Sequence, residues 1–422
     1  MGYSLPMVPE QTCKYLYWQG FPAIREVRLR EPGASPDRER WLASAEYNAA
    51  MTTASPDYTS LRRIGWPWAG GAEAPAWQAP AAAHPGARPA RVSEQHRTGY
   101  VLADGPDAGF RVESPPEWQR RPVFTADGVP LHERAAVGDW VLHDGRRIVA
   151  LLPRRSAIKR AAAGEHYQQQ VIAANVDTAF VVCGLDADFN PRRIERYLLL
   201  VGGGGVQPVI VLTKADRDGS DAAAALAALA DLRAQGVPVL ALNARDADAV
   251  AALLPWLGPG MSAVLVGSSG AGKSTLTNSL LGEQRMKTAQ VREHDSRGRH
   301  TTTHRALIAL PAGACLIDTP GMRELKPTGE EELADGGFAD IEVIAAQCRF
   351  NDCAHHSEPG CAIGAAIEAG TLDPARVANY LKLRDEVAGA ADRLATRLAQ
   401  KSDARVQNKA LRKRLDEKYP RR

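Results

Sequence analysis

Between residues 177 and 318 the chain alternates short apolar runs with helical patterns. The runs are DTAFVVCGL, PVIVL, VPVLAL, SAVLV and ACLID; NPRRIERYLLLV and AAAALAALADLRAQ are two of the segments between them. Runs this continuous suit strands buried on both faces, so the alternation predicts a parallel sheet with helices on either side. Ligands of such sheets sit beyond the carboxyl ends of the strands. Upstream the pattern changes. TGYVLAD, GFRVES, RPVFTA, DWVLHD and RIVALLP are short and separated by turn residues, as in a small barrel. From Asp373 onward the spacing is helical. Residues 1–67 read as irregular, with DRERWLASAEYNAAM a candidate helix and SLRRIGWPW a segment able to dock. Residues 68–91, rich in Ala, Pro and Gly, are expected to behave as a linker.

Composition narrows the class without choosing a function. With 422 residues, 45% hydrophobic and 24% charged, the chain is long enough for several domains and matches a globular protein. Its net charge of +3 decides nothing about nucleic acid, so only the distribution of charge can. No apolar run reaches the length of a membrane helix, and MGYSLPMVPEQTCKYLYWQG lacks the core of a signal peptide. A reducing cytoplasm is therefore expected, with Cys183 and Cys315 as buried thiols inside apolar runs.

The chemistry begins after SAVLV. Gly267, Ser268, Ser269, Gly270, Ala271, Gly272, Lys273 and Ser274 form a glycine-rich loop, followed by Thr275 and an amphipathic helix. Such glycines let backbone N–H groups turn toward phosphate oxygens, the Lys273 position reaches the terminal phosphates, and a Ser274 hydroxyl suits magnesium. The helix adds its N-terminal partial charge. A nucleoside triphosphate is the expected ligand.

A phosphate loop does not select a base. Thr213-Lys214-Ala215-Asp216 follows PVIVL, where Asp216 could accept two hydrogen bonds from guanine and the Lys214 stem could cover the base face. Alone, this tetrapeptide equally suits a surface turn. VPVLAL ends in Asn243-Ala244-Arg245, where the Ala244 N–H is open to the guanine O6. Downstream, Gly298–His304 carries a threonine run suited to a second magnesium ligand, and Asp318-Thr319-Pro320-Gly321 closes ACLID. Asp318 could hold a magnesium-bound water and the Gly321 N–H could sense the γ-phosphate.

Three cysteines and two histidines crowd into Cys348–Cys361 with the spacing C-x4-C-x-H-x5-C. Cys348, Cys353 and Cys361 with one imidazole make a four-ligand structural zinc set. Residue chemistry leaves His355 and His356 both open. Arg154, Arg155, Lys159 and Arg160 cluster at the barrel exit, either as a solvated face or as an RNA-binding edge. From Lys401 to Arg422 there are nine Lys/Arg against three Asp/Glu, either a frayed tail or a clamp on a phosphate backbone.

These motifs are those of a GTPase, but base selection precedes the phosphate loop. In that order the chain resembles the circularly permuted GTPases of the ribosome small subunit-dependent GTPase A family. The likeness runs from about His96 to the C-terminus through VGDWVL, LLPRRSAIKR, ANVDTAF, TKAD, GSSGAGKS, GRHTTTH, DTPG and the cysteine cluster. It implies an RNA-binding OB-fold for the barrel, His355 as the zinc histidine, and the small ribosomal subunit with its rRNA as partner late in assembly.

The expected architecture is then multidomain: 1–92 a partly flexible extension and linker, 93–160 an OB-fold β-barrel, 161–326 an α/β circularly permuted P-loop GTPase domain, and 327–422 a zinc-binding, mainly helical domain with a basic tail. The expected cofactors are one structural Zn2+ and Mg2+ with GTP, held by Ser274 and Thr302, and the protein is expected to act as a monomer. Met322 stands where many GTPases carry the water-orienting glutamine. The water must be positioned from elsewhere. His300 is the candidate, both from the residues and from the resemblance, although it could merely order its loop; His304 is the second choice. With Lys273, His300 forms the expected catalytic pair. Turnover should be slow alone and faster on the subunit. Two rivals remain: an RNA-docking module in which GTP is a slow conformational ligand, and an ATP-using P-loop protein.

Overall fold

The computed structural model describes residues 56–96, 99–106, 108–119, 129–161, 168–282, 305–319, 326–356 and 358–418, excepting the side chains of 108, 119, 401 and 404–418. The small barrel comprises β1 (Arg88–Gln95), β2 (Gly99–Gly105), β3 (Ala108–Glu113), β4 (Trp140–His143) and β5 (Ile148–Leu151). Its strand pairs are antiparallel apart from one parallel bridge: β1 lies between β2 and β4, β3 flanks β2, and β5 flanks β4. A bridge from Glu113 to Arg147 brings β3 to the entrance of β5 and closes the ring. Ala90, Val92, Leu102, Phe110, Val112, Val141 and Ile148 fill it.

The first half of β1, Arg88–Arg91, falls in the stretch expected to be a linker. The strand's RPARVSEQ sequence lacks a hydrophobic alternation, because two of its buried positions, one on each face of the strand, are arginines. Arg88 and Arg91 are both buried. The rest of that stretch is ordered too: a helix spans Pro75–Ala83, preceded by another at Tyr58–Arg63. Aromatic packing accounts for this. Trp66 meets Trp140 of the barrel edge-on at 4.9 Å, and Trp77 meets Trp68 at 4.8 Å. Aromatic rings of this size contribute more through area and edge-to-face contact than the small residues around them cost in order. The expected strand RPVFTA lies outside the described residues.

A hairpin of β6 (Ala157–Ala161) and β7 (Gln169–Ala174) leads to the nucleotide-binding region. There β8 (Thr178–Gly184), β9 (Gln207–Thr213), β10 (Val239–Ala241), β11 (Ser262–Val266) and β13 (Cys315–Asp318) run parallel in the order β10-β9-β8-β11-β13. Every residue of β8, β11 and β13 is buried, as continuous apolar strands between helical layers should be. β12 (Ala306–Ala309) pairs antiparallel with β13 and, through Glu94 and Ala306, with β1. Barrel and parallel strands thus share one 11-stranded sheet.

Arg91 ties the two halves together from a fully buried position. Its guanidinium donates to Gly138 O at 3.1 Å, Asn175 O at 2.9 Å and Ser262 Oγ at 2.7 Å, and also to Ile64 O. These acceptors come from the barrel, from β7's exit, from β11 and from the N-terminal segment.

The C-terminal part is helical, with helices at Ala339–Ala345, Ala362–Glu368 and Pro374–Lys418. Phe338, Ile341, Ile363, Leu372, Val377, Tyr380 and Leu383 form its core, together with Leu199 from the helix Pro191–Gly202. Two ion pairs, Arg192 to Asp373 and Arg196 to Glu386, and a hydrogen bond from the Asn379 amide to Glu195 fasten the same helix. The buried Arg376 donates to Asp340 at 2.6 and 2.8 Å and to Gly337 O at 2.6 Å. Among the described residues, no helix is long and apolar enough to cross a membrane.

Candidate functional site

The phosphate loop leaves β11 through a turn that only glycine accommodates. Gly267 has φ of 148°, and a Cβ there would lie 2.1 Å from Val182 O. Gly272 has φ of 98° and caps the helix Lys273–Leu281, pressed so close to Thr213 that a Cβ would meet its Oγ1 at 3.0 Å. Left-handed glycines between Ser268 and Lys273 turn the chain around a concavity at a helix N-terminus.

Lys273 is 8% exposed, and its Nζ donates to Gly267 O at 2.8 Å and Ser268 O at 2.6 Å. Burial pushes this ammonium down to about 8, while the carboxylates of Asp318 and Asp188 partly hold it up. Burial raises the Asp318 carboxyl, and the Lys273 charge opposes that rise. A cation and an anion therefore face each other at the carboxyl ends of β11 and β13. That is the charge pattern a magnesium-bound triphosphate requires.

The base-selecting loop abuts this concavity. Thr213 Oγ1 donates to Ala271 O at 2.5 Å, and Leu185 N donates to Thr213 O at 2.8 Å. Lys214 adopts φ of 64°, in the left-handed region unusual for a residue with a Cβ, and its Nζ pairs with Asp186 at 2.5 Å. Asp216 is exposed one turn further on. From the β10 side, the Asn243 side chain accepts from Arg245 N at 2.9 Å, and Ala244 O accepts from Ser279 Oγ of the phosphate-loop helix at 2.6 Å. The carboxyl ends of β8, β9, β10, β11 and β13 thus lie at one end of the sheet, with Ser269 and Gly270 on the phosphate-loop turn and Ser274 and Thr275 in the first turn of its helix. His300, Thr302, His304, Gly321 and Met322 lie outside the described residues.

Two carboxylates at this end escaped the reading of the motifs. Asp186 holds Lys214, and Asp188 accepts from Ser268 Oγ of the phosphate loop while pairing with Arg193. The available signal was GLDADFN itself: acids closing a fully buried strand that ends level with the motif-bearing ones.

The basic cluster divides. Arg154 turns inward, with Nε 2.8 Å from buried Asp139, and also donates to His132 O and Arg134 O. Its donors serve the barrel rather than solvent. Arg155 lies 3.7 Å from Asp177, Lys159 lies 2.9 Å from Glu330, and Arg160 donates to Gln170. The first two are about two-fifths exposed, so their pairs leave them accessible to another anion.

At the cysteine cluster, the structure brings Cys348, Cys353, His355 and Cys361 together, with ligand atoms within 4.8 Å of one another. His355 Nδ1 is 3.5 Å from Cys348 Sγ and 3.7 Å from Cys361 Sγ. Tetrahedral zinc with its usual bond lengths separates neighbouring ligand atoms by about 3.5–3.8 Å, so the set fits. His355 reaches inward from φ of 66°. His356 is outside the cluster, its N–H donating to Glu358. Ala362 N and Gly364 N donate to the sulfurs of Cys348 and Cys361 at the start of a helix, which favours thiolates.

Fold and site together define a P-loop nucleotide-binding domain in which β9 and β10, followed by the TKAD and NAR sequences, precede the phosphate-loop strand β11 in the chain yet lie in the same parallel sheet. The sequence model of the RsgA GTPase family matches residues 151–328. The chain is 73% identical over 350 residues to the small ribosomal subunit biogenesis GTPase RsgA of Xanthomonas axonopodis pv. citri (strain 306), covering 83% of this chain and 94% of that one. Identity and coverage are the same for the protein of that name from Xanthomonas euvesicatoria pv. vesicatoria (strain 85-10). The crystal structure of YjeQ from Thermotoga maritima shares the fold, with a TM-score of 0.50 at 22% identity over 72% of this chain and 99% of that one. The chain belongs to the RsgA family of small ribosomal subunit biogenesis GTPases.

Proposed function

We propose that the protein hydrolyses GTP in the course of small ribosomal subunit assembly, with hydrolysis stimulated by the subunit and timing its own release. The contact between the Thr213 hydroxyl and the phosphate-loop carbonyl of Ala271 carries this reading, because it makes base selection and phosphate binding parts of one site. In this reading Lys273 moves from the Gly267 and Ser268 carbonyls to the β- and γ-phosphate oxygens. Backbone N–H groups of 270–275 surround those phosphates, and Asp216 accepts from the guanine edge while Lys214 covers its face. Ser274 and Thr302 would hold the magnesium, which neutralises phosphate charge when bound, and Asp318 would hold a water on it. His300 orients the attacking water. The strand pairing of the barrel supports an OB-type fold, and Arg155, Lys159, Arg160 and the basic tail make the rRNA contacts. Zinc at Cys348, Cys353, His355 and Cys361 fixes the C-terminal loop. The protein acts in the cytoplasm as a monomer.

The test is GTP turnover titrated with purified small subunits. Stimulated turnover that Lys273→Ala abolishes is the expected result. Turnover that the subunits leave unchanged would favour an RNA-docking module with GTP as a slow ligand.

A further inference from the structure

A cavity of about 330 Å³ opens between the barrel and the β6–β7 hairpin, away from the nucleotide site. Its size is at the lower end of small-ligand pockets, which run from about 300 to 1,000 Å³, and suits one nucleotide. Tyr100 and Trp118, both otherwise buried in the barrel core, line one side, their rings meeting edge-on at 5.9 Å. Gln95 and Gln170 contribute amides, which can read the edge of a base, and Arg134 contributes a guanidinium. None of the described lining residues carries a carboxylate.

A second observation points the same way. Arg305 donates to the carbonyl of Val171, a residue of the cavity wall, at 3.4 Å. Burial pushes this arginine down to about 10, and its charged neighbour is another arginine, Arg160, which lowers it further. Arg160 in turn donates to Gln170 in the wall. Two arginines therefore crowd behind an aromatic pocket whose neighbouring acid, Glu94, is paired with His96 of the wall at 3.0 Å. A phosphate would relieve that repulsion, and the flat rings and amides suit a base.

We propose that this cavity captures a single unstacked nucleotide of an RNA strand, its base against Tyr100 and Trp118 and its phosphate toward Arg134. The proposal rests on the reading of this protein as an RNA-engaging factor and names what one part of it recognises. The location gives the capture a consequence. Gln95 of the wall neighbours Glu94, which pairs with Ala306 in β12, and Arg305 immediately precedes that strand. An occupant would bear on the junction where the barrel meets the nucleotide-binding sheet.

The experiment uses the full chain loaded with GDP and two fluorescein-labelled single-stranded hexaribonucleotides, identical except that one carries an abasic residue in the middle. Anisotropy should show the base-bearing strand binding about fivefold or more tighter than the abasic one, as the stacking of one base provides. Ser114→Leu, which partly fills the cavity, should shrink that ratio toward one, and Arg134→Gln should weaken both strands alike, because the abasic strand keeps its phosphate. Thermal melting and GDP affinity, measured alongside, should match the parent protein. Equal affinity of the parent protein for both strands, or a ratio that survives Ser114→Leu, overturns the proposal. A free ribonucleoside 5′-monophosphate that binds the pocket as tightly as the strand would also overturn it, since the occupant would then be a free nucleotide. The broader reading fails differently, by the absence of subunit-stimulated turnover.

Discussion

Lys273 makes nucleotide affinity depend on pH in a way that can be worked out from its surroundings. In the nucleotide-free protein, burial pushes its ammonium down to about 8 from an ordinary value near 10.5, and Asp318 and Asp188 limit the fall. Phosphate oxygens arriving at about 4 Å contribute on the order of 4 kcal/mol per unit charge at an effective dielectric of about 20, equivalent to roughly three pH units. The bound ammonium therefore titrates well above about pH 10. Below about pH 8 the lysine is charged in both states and affinity is flat. Above that value the free protein has lost the proton that the complex keeps, so binding takes one up, and Kd rises about tenfold per pH unit. From about pH 7 to about pH 9, a range that keeps the guanine N1–H protonated, the expected weakening is about tenfold, or roughly 1.4 kcal/mol. Calorimetry with GDP in buffers of differing ionisation enthalpy measures both the affinity and the proton count. Lys273→Arg stays charged throughout and should bind more weakly but with a flat profile. A Kd constant within twofold for the parent protein, or proton uptake near zero at about pH 8.5, would refute the reasoning.

Three other outcomes follow from the described contacts. Asp216→Asn removes a charged acceptor from the guanine edge and should cut the preference for GTP over ATP by about 1.5–3 kcal/mol, read by competition against a fluorescent guanine nucleotide. Arg91→Met leaves four acceptors without their donor and should cost on the order of 4 kcal/mol, measured by urea unfolding with GDP present and absent. Stripping zinc with a chelator, or Cys353→Ser, should expose residues 346–362 to protease. Phe338, Tyr380 and their neighbours keep their own apolar core, so GDP binding should persist; loss of nucleotide binding on chelation would contradict that separation.

Much of this site could be read before any fold was known, because its chemistry is encoded locally. A phosphate loop needs glycines in left-handed conformations and a lysine at a set distance, and GSSGAGKS states both within eight residues. The zinc spacing C-x4-C-x-H-x5-C is equally self-contained, since one short loop supplies every ligand. The permuted order of motifs was likewise plain, being a property of the chain alone. Residues 68–91 misled for the opposite reason. Their small side chains predict disorder when counted, but Trp77 and the buried Arg91 gain their stabilisation from partners far along the chain. Local pattern carries no trace of such long-range partners.

Sequence by itself determined which strands would be buried, where phosphate could be gripped and that three cysteines with one of two adjacent histidines could hold zinc, since each depends on neighbours within a few positions. Only the tertiary structure decided that Thr213 touches the phosphate loop, that Asp186 and Asp188 belong to the site, and that Arg154 spends its donors on Asp139. Those facts arise from strands brought side by side by the burial of apolar surface, a force without direction or sequence range. What meets at their ends is settled by the whole fold.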